Sequence, residues 1–145
     1  MRGIAESWQF WALLSAVFAA LTTILAKVGI AEINSDLATL IRTCVILVVA
    51  LMIVAATAQW QPASTISGRT WLFLVLSGIA TGLSWLAYFR ALKLGNAAQV
   101  APIDKLSIVL VAVFAAVFLK ERLSMLNWLG VVLIGAGAVL VATRA

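Results

Sequence analysis

The feature that most constrains this chain is a series of five long apolar runs, at about 8–26, 37–58, 71–92, 100–119 and 125–143. Each comes close to the roughly 20 residues an α-helix needs to cross the hydrocarbon of a bilayer. Lipid offers no water to backbone N–H and C=O groups, so only helices and closed barrels can span it. Barrel strands alternate apolar and polar residues in short segments, and these runs do not alternate. The expected fold class is therefore all-α, a polytopic membrane protein with five transmembrane helices. Composition agrees, because 65% of residues are apolar and only 10% charged, and a soluble domain this small has too much surface to hide such a content. The first run is longer than the apolar region of a secretory signal and reads as a retained helix. The loops are short and no internal repeat stands out, so residues 1–145 read as one membrane domain.

The connectors carry fitting punctuation. Asn34, Ser35 and Asp36 offer N-caps before the second span. The stretch 59–70 holds Pro62, Gly68 and several hydroxyl residues, a turn-rich loop. Gly95 and Asn96 can stop the third span, and Pro102 suits the first turn of the fourth. Lys120, Glu121 and Arg122 form a short charged turn before the fifth. Trp8, Trp11, Trp60, Trp71 and Trp128 fall near span edges, where indole prefers to sit. Small residues suggest packing faces: Ala12, Ala16 and Ala20 beside Ser15, Ala19 and Thr23, then Gly78 and Gly82, then Ala112 and Ala116, then Gly135 to Ala138.

Several function classes are disfavoured. The sequence has no His and one Cys, Cys44, so an internal disulfide is impossible and a His- or Cys-based metal site is not expected. No cofactor is expected. The net charge of +5 does not point to nucleic acid, because the basic residues are scattered and flank apolar runs like interface anchors. An intramembrane enzyme is disfavoured by the lack of His, of a paired acid and of a second thiol.

The positive charges do not fix an orientation. Arg2, Arg69, Lys120 and Arg122 fall on the N-terminal side, and Lys27, Lys93 and Arg144 on the other, with Arg42, Arg90 and Lys105 deeper toward that second side. The bias is four against three, or four against six, which leaves two readings. Either a weak bias is resolved into one orientation, or the chain inserts both ways and two copies pair antiparallel, creating the inverted repeat of many transporters.

Two groups of residues could carry chemistry. In the third span Ser77, Thr81, Ser84 and Tyr88 share one helical face, with Gly78, Gly82, Trp85 and Phe89 beside it. Such a face either lines a water-filled cavity or bonds its hydroxyls to carbonyls and neighbouring helices. If it lines a cavity, Trp85 and Tyr88 supply an aromatic wall for a flat or cationic solute. Charged residues within spans form the second group: Arg42, Arg90, Asp104 and Lys105, with Ser107 one turn beyond Asp104. Asp104, the one carboxylate inside an expected span, either handles protons or substrate charge, or braces the mouth in an ion pair with Arg42, Arg90 or Lys105. Singly, Arg42 and Lys105 are read as snorkelling to the interface.

The segment 88–140 contains "ALKLGNAAQVAPI", "FLKERL" and "WLGVVLIGAGAVL". In these pieces it resembles the EamA-like domain of the drug/metabolite transporter superfamily, more weakly over the first half. A single five-helix set resembles the five-helix bacterial and archaeal single-domain subgroup, most members of the superfamily carrying two such halves. The resemblance implies a multi-pass protein of the cell inner membrane that exports small metabolites or drugs, with two halves meeting in inverted orientation. It makes Glu121 a structural loop residue and selects no substrate. The small multidrug relatives use a glutamate within their first helix; here Glu6 precedes the first span, which has no acid. The reading is then a secondary transporter working as an antiparallel homodimer, in contact with lipid and a small-molecule substrate. Ser77, Thr81, Ser84, Trp85, Tyr88, Asp104 and Ser107 would line its path, with Arg42, Arg90 and Lys105 as charge tuners or gate. The rival reading is a non-transporting subunit, or one half of a heteromeric transporter.

Overall fold

The computed structural model describes residues 7–143, and every long element in it is a helix. The elements are α1 (Trp8–Gly29), α2 (Ser35–Ala56), a 3-10 turn at Ala63–Thr65, α3 (Gly68–Leu94), α4 (Ala97–Asp104), α5 (Ser107–Phe118) and α6 (Met125–Thr143). Five spans result, because α4 and α5 together form one apolar stretch, Ala97–Phe118. They contain 22, 22, 27, 22 and 19 residues. At about 1.5 Å per residue even the shortest is close to the ~30 Å thickness of the hydrocarbon. Arg2, Glu6 and Arg144 lie outside the described residues.

The helix ends show local chemistry at work. Asn34 takes an extended backbone and accepts the Asp36 N–H at 2.7 Å through its side chain, which starts α2 at Ser35. That start is earlier than the apolar run alone suggests, and it brings Asp36 into the first helical turn. Asp104 is therefore not the one acid within a span. The far end of α2 closes in a Schellman motif, with Ala58 at φ 52°, its N–H on the Ala55 carbonyl and the Gln59 N–H on that of Val54. At the end of α5, Lys120 takes φ 55° and the Glu121 N–H reaches back to the Ala115 carbonyl. The charged turn is thus a helix stop built on a left-handed lysine.

Pro102 behaves differently from its expected place in a first turn. Asn96 caps α4 three residues earlier than the apolar pattern implies, so Pro102 becomes an interior residue. Having no N–H, it leaves the Ala98 carbonyl without its helical donor. The helix then tightens, with Leu106 N–H on Ile103, Ile108 N–H on Lys105 and Val109 N–H on Leu106, all at 3.0 Å and of 3-10 type, before α5 resumes. The fourth span is thus interrupted by a tightened 3-10 turn at Lys105–Leu106, between α4 and α5.

The chain divides into two compact units, one holding α1 to Lys27 together with Leu94 onward, the other Val28–Lys93. In the first, α6 packs on α4 and α5. The approach is close at Gly135, where an added Cβ would stand 3.2 Å from Val109 Cγ2, and Ala138 one turn away is buried. In the second, Ile30, Ala38, Phe89 and Leu92 form the apolar core beside buried Ser35 and Thr39. Large apolar side chains on all five spans remain exposed, from Leu13 at 70% on α1 to Leu140 at 67% on α6. Lipid is the surrounding that makes such a surface stable.

Two stability outcomes follow. Gly135→Leu should overpack the α5–α6 seam and lower unfolding stability in detergent by about 1–3 kcal/mol, while Gly137→Ala, with open space around its added methyl, should leave the SDS unfolding midpoint unchanged. Lys120→Gly should raise that midpoint, because it removes a left-handed side-chain conformation costing roughly 1 kcal/mol.

Candidate functional site

The first unit contains a groove of about 760 Å3, within the size range of small-molecule sites. Its one wall is α1, through Ala12, Ser15, Ala16, Ala19, Ala20 and Thr23. The other is the broken span, through Ala97, Ala98, Ala101, Pro102, Lys105, Ser107 and Ile108. Small side chains on both walls leave the space, and the tightened turn after Pro102 sets Lys105 and Ser107 along it. The Thr23 hydroxyl donates to the Ala19 carbonyl at 3.0 Å, and Lys27 donates to the Gly95 carbonyl at 2.7 Å, near the turn that opens α4. Asp104 pairs with Lys105 at 3.3 Å, with side chains 35% and 53% exposed. Of the expected site residues, Lys105 and Ser107 therefore meet at the groove, with Asp104 beside them. The α1 stripe was expected to be packing surface. The same small-residue spacing marks it either way, and nothing in the sequence separates a packed stripe from an open one. A second groove, of about 790 Å3, is apolar and follows the α5–α6 seam past Leu106, Val109 and Gly135.

The second unit gathers the other charged residues between α2 and α3, which run antiparallel. At their outer end Arg90, one of the three cations considered for Asp104, pairs instead with Asp36 at 3.2 Å, and Asp104 pairs with Lys105, another of the three. Lys93 donates to the carbonyls of Ile30 and, in a short contact, Ile33, closing the turn that leads into α2. Six residues deeper than Asp36, the Arg42 guanidinium lies over the Trp85 ring, 4.3 Å from its centroid, and 5.3 Å from that of Phe89. Tyr88 and Phe89 meet edge to face at 6.5 Å. Arg42 lies against a ring face that was expected to be open to solute. An arginine costs about 2.5–3.5 kcal/mol at the centre of a span and less toward its end, where Arg42 lies two turns into α2, and a cation–π contact returns about 0.5–2 kcal/mol. The rings thus offset part of that cost without supplying a counter-charge.

The rest of the α3 stripe is simpler. Ser77, Thr81 and Ser84 are exposed, and Thr81 donates its hydroxyl to the Ser77 carbonyl at 2.9 Å, a helix satisfying itself. An added Cβ at Gly78 or Gly82 would meet nothing within 4 Å.

The model of the EamA-like transporter family matches residues 6–143, the whole of this helical set. The chain belongs to the EamA-like transporter family. It is therefore a multi-pass membrane transporter, and its five helices are those of a family member rather than an isolated likeness in the second half. It is 70% identical over 139 residues to an uncharacterised transporter in the cobO 3′ region of a Sinorhizobium species, covering 96% of this chain and 99% of that one. It is 29% identical over 135 residues to the uncharacterised transporter YxxF of Bacillus subtilis, covering 92% of this chain and 42% of that longer protein. No solved structure matches it.

The two layers of the α2–α3 unit should respond differently to substitution. Phe89→Ala removes a ring only 2% exposed and should cost at least about 2 kcal/mol in detergent unfolding. Asp36→Asn breaks an exposed ion pair and should cost less than about 1 kcal/mol.

Proposed function

We propose that this family member is an exporter of small metabolites or drugs, that it works as an antiparallel homodimer in the inner membrane, and that solute moves along the groove between α1 and the broken α4–α5 span. The observation that carries the reading is that broken span. Discontinuous helices build transporter binding sites, because unwound backbone and helix ends offer polar groups at membrane depth. Here the break coincides with a ligand-sized groove and with the residues Lys105 and Ser107. Asp104 is the coupling group: its pairing with Lys105 at the break can be traded for a proton or a substrate charge. Arg90, paired with Asp36, serves as a gate at the outer end of α2 and α3.

The second copy is supported by three features. The positive charges are nearly balanced between the two sides. The Bacillus relative is more than twice the length that the chain covers, as expected where two halves share one polypeptide. The exposed α3 face of Ser77, Thr81 and Ser84, with open Gly78 and Gly82 alongside, gives a second copy a polar, closely approachable wall.

The test is flux from proteoliposomes across a panel of amino acids, organic acids and cationic drugs. The wild-type chain should move at least one of them. Ala16→Trp, which fills the groove, should lower that flux at least about tenfold, whereas Leu133→Trp on the exposed side of α6 should not. Equal flux through Ala16→Trp would place the path elsewhere. Asp104→Asn should abolish the pH dependence of flux; an unchanged pH profile would remove Asp104 from coupling.

A further inference from the structure

We infer that Arg42, held on the faces of Trp85 and Phe89, is a binding site for the carboxylate or phosphate group of a small anion. The observations lie within the α2–α3 unit and in the ion pairs of the chain. The two ion pairs among the described residues join Arg90 to Asp36 and Lys105 to Asp104. Each of those acids therefore has its cation. Arg42 has aromatic rings instead, at 4.3 and 5.3 Å. It stands seven residues beyond the start of α2, about 10 Å along the helix axis, and no acid pairs with it among the described residues.

The geometry also fixes what can bind. The Arg42 guanidinium carbon lies 4.3 Å from the Trp85 ring centroid, and the five N–H donors of a guanidinium lie in its edge. An edge of that kind matches a carboxylate or phosphate with two parallel, charge-assisted hydrogen bonds. The two ring contacts restrain the guanidinium, so less side-chain freedom is lost on binding. Phe89 is buried and Trp85 half-buried, which makes a rigid backing. A cationic solute is the wrong complement, since the ring face that would receive it already carries a cation.

The inference goes beyond the transport reading, and its test needs no transport, so either can fail alone. The full chain is placed in phosphatidylcholine nanodiscs, and 4-fluorobenzoate, 4-fluorobenzylammonium and 4-fluorobenzamide are titrated by fluorine NMR. The expected result is saturable broadening of 4-fluorobenzoate alone, displaced by inorganic phosphate. Arg42→Gln should weaken it at least about tenfold, the loss of one charge-assisted pair, and Arg42→Lys by less. A parallel titration in discs containing phosphatidylglycerol separates the sources of the anion. Weaker 4-fluorobenzoate binding there means a lipid phosphate occupies the site, and equal binding means a dissolved solute does. Absence of binding, equal binding of the amide or the ammonium, or an unaltered Arg42→Gln would overturn the inference. If Arg42→Gln does not fold, the charge selectivity of the wild-type chain and its loss of affinity in Trp85→Phe decide the matter.

Discussion

Everything in this molecule depends on backbone hydrogen bonds closed within single helices. In the hydrocarbon of a bilayer an unpaired N–H or C=O has no water to turn to, so a spanning segment must satisfy itself. Five runs of this sequence do so, and because they do, their side chains need not form a soluble core. Buried apolar residues are few, with Ile30, Phe89 and Leu92 the large ones, while Leu, Val and Phe side chains cover the outside. Apolar contact alone cannot hold such helices together, since lipid tails are equally apolar. What holds them is local and specific: Gly135 against Val109, Lys93 on the carbonyls before α2, Lys27 on Gly95, and Arg42 on Trp85 and Phe89.

The one place where the backbone rule is relaxed is also the place where function is expected. Pro102 withdraws a donor, the chain tightens through Lys105 and Leu106, and a groove lies against the break. Carbonyls that no longer sit in an α-helical ladder are tolerated at membrane depth where they line a cavity. The chain belongs to the EamA-like transporter family, and the proposed path follows that groove past Lys105 and Ser107.

Much of this was legible from residue order. Apolar length located all five spans, and Trp and Lys near the ends marked their limits. The cap at Asn34 was legible too. What was not legible depended on competition between neighbours. Asn96 and Pro102 both suit a helix start, and only the folded chain shows that Asn96 prevails and pushes Pro102 into the interior. Asp36 read only as a cap and Asp104 was within reach of several cations, because spacing along one helix cannot rank partners on another. Arg42 could equally have reached outward; its stacking on Trp85 depends on the antiparallel register of α2 and α3, which no local pattern encodes. The α1 alanines are the same residues whether a neighbour fills the space beside them or leaves it open.

The central claim is that one five-helix chain supplies both halves of the transporter by inserting in two orientations. The most direct measurement is a topology map in intact cells. Cys44 is exposed, so it is replaced by Ser, a single cysteine is placed at Thr143 at the end of α6, and a membrane-impermeant thiol reagent is applied before and after permeabilisation. Dual insertion predicts that about half of the chains are labelled from outside and the rest only after permeabilisation. Labelling confined to one side would contradict it, and the inverted half would then have to come from a different chain.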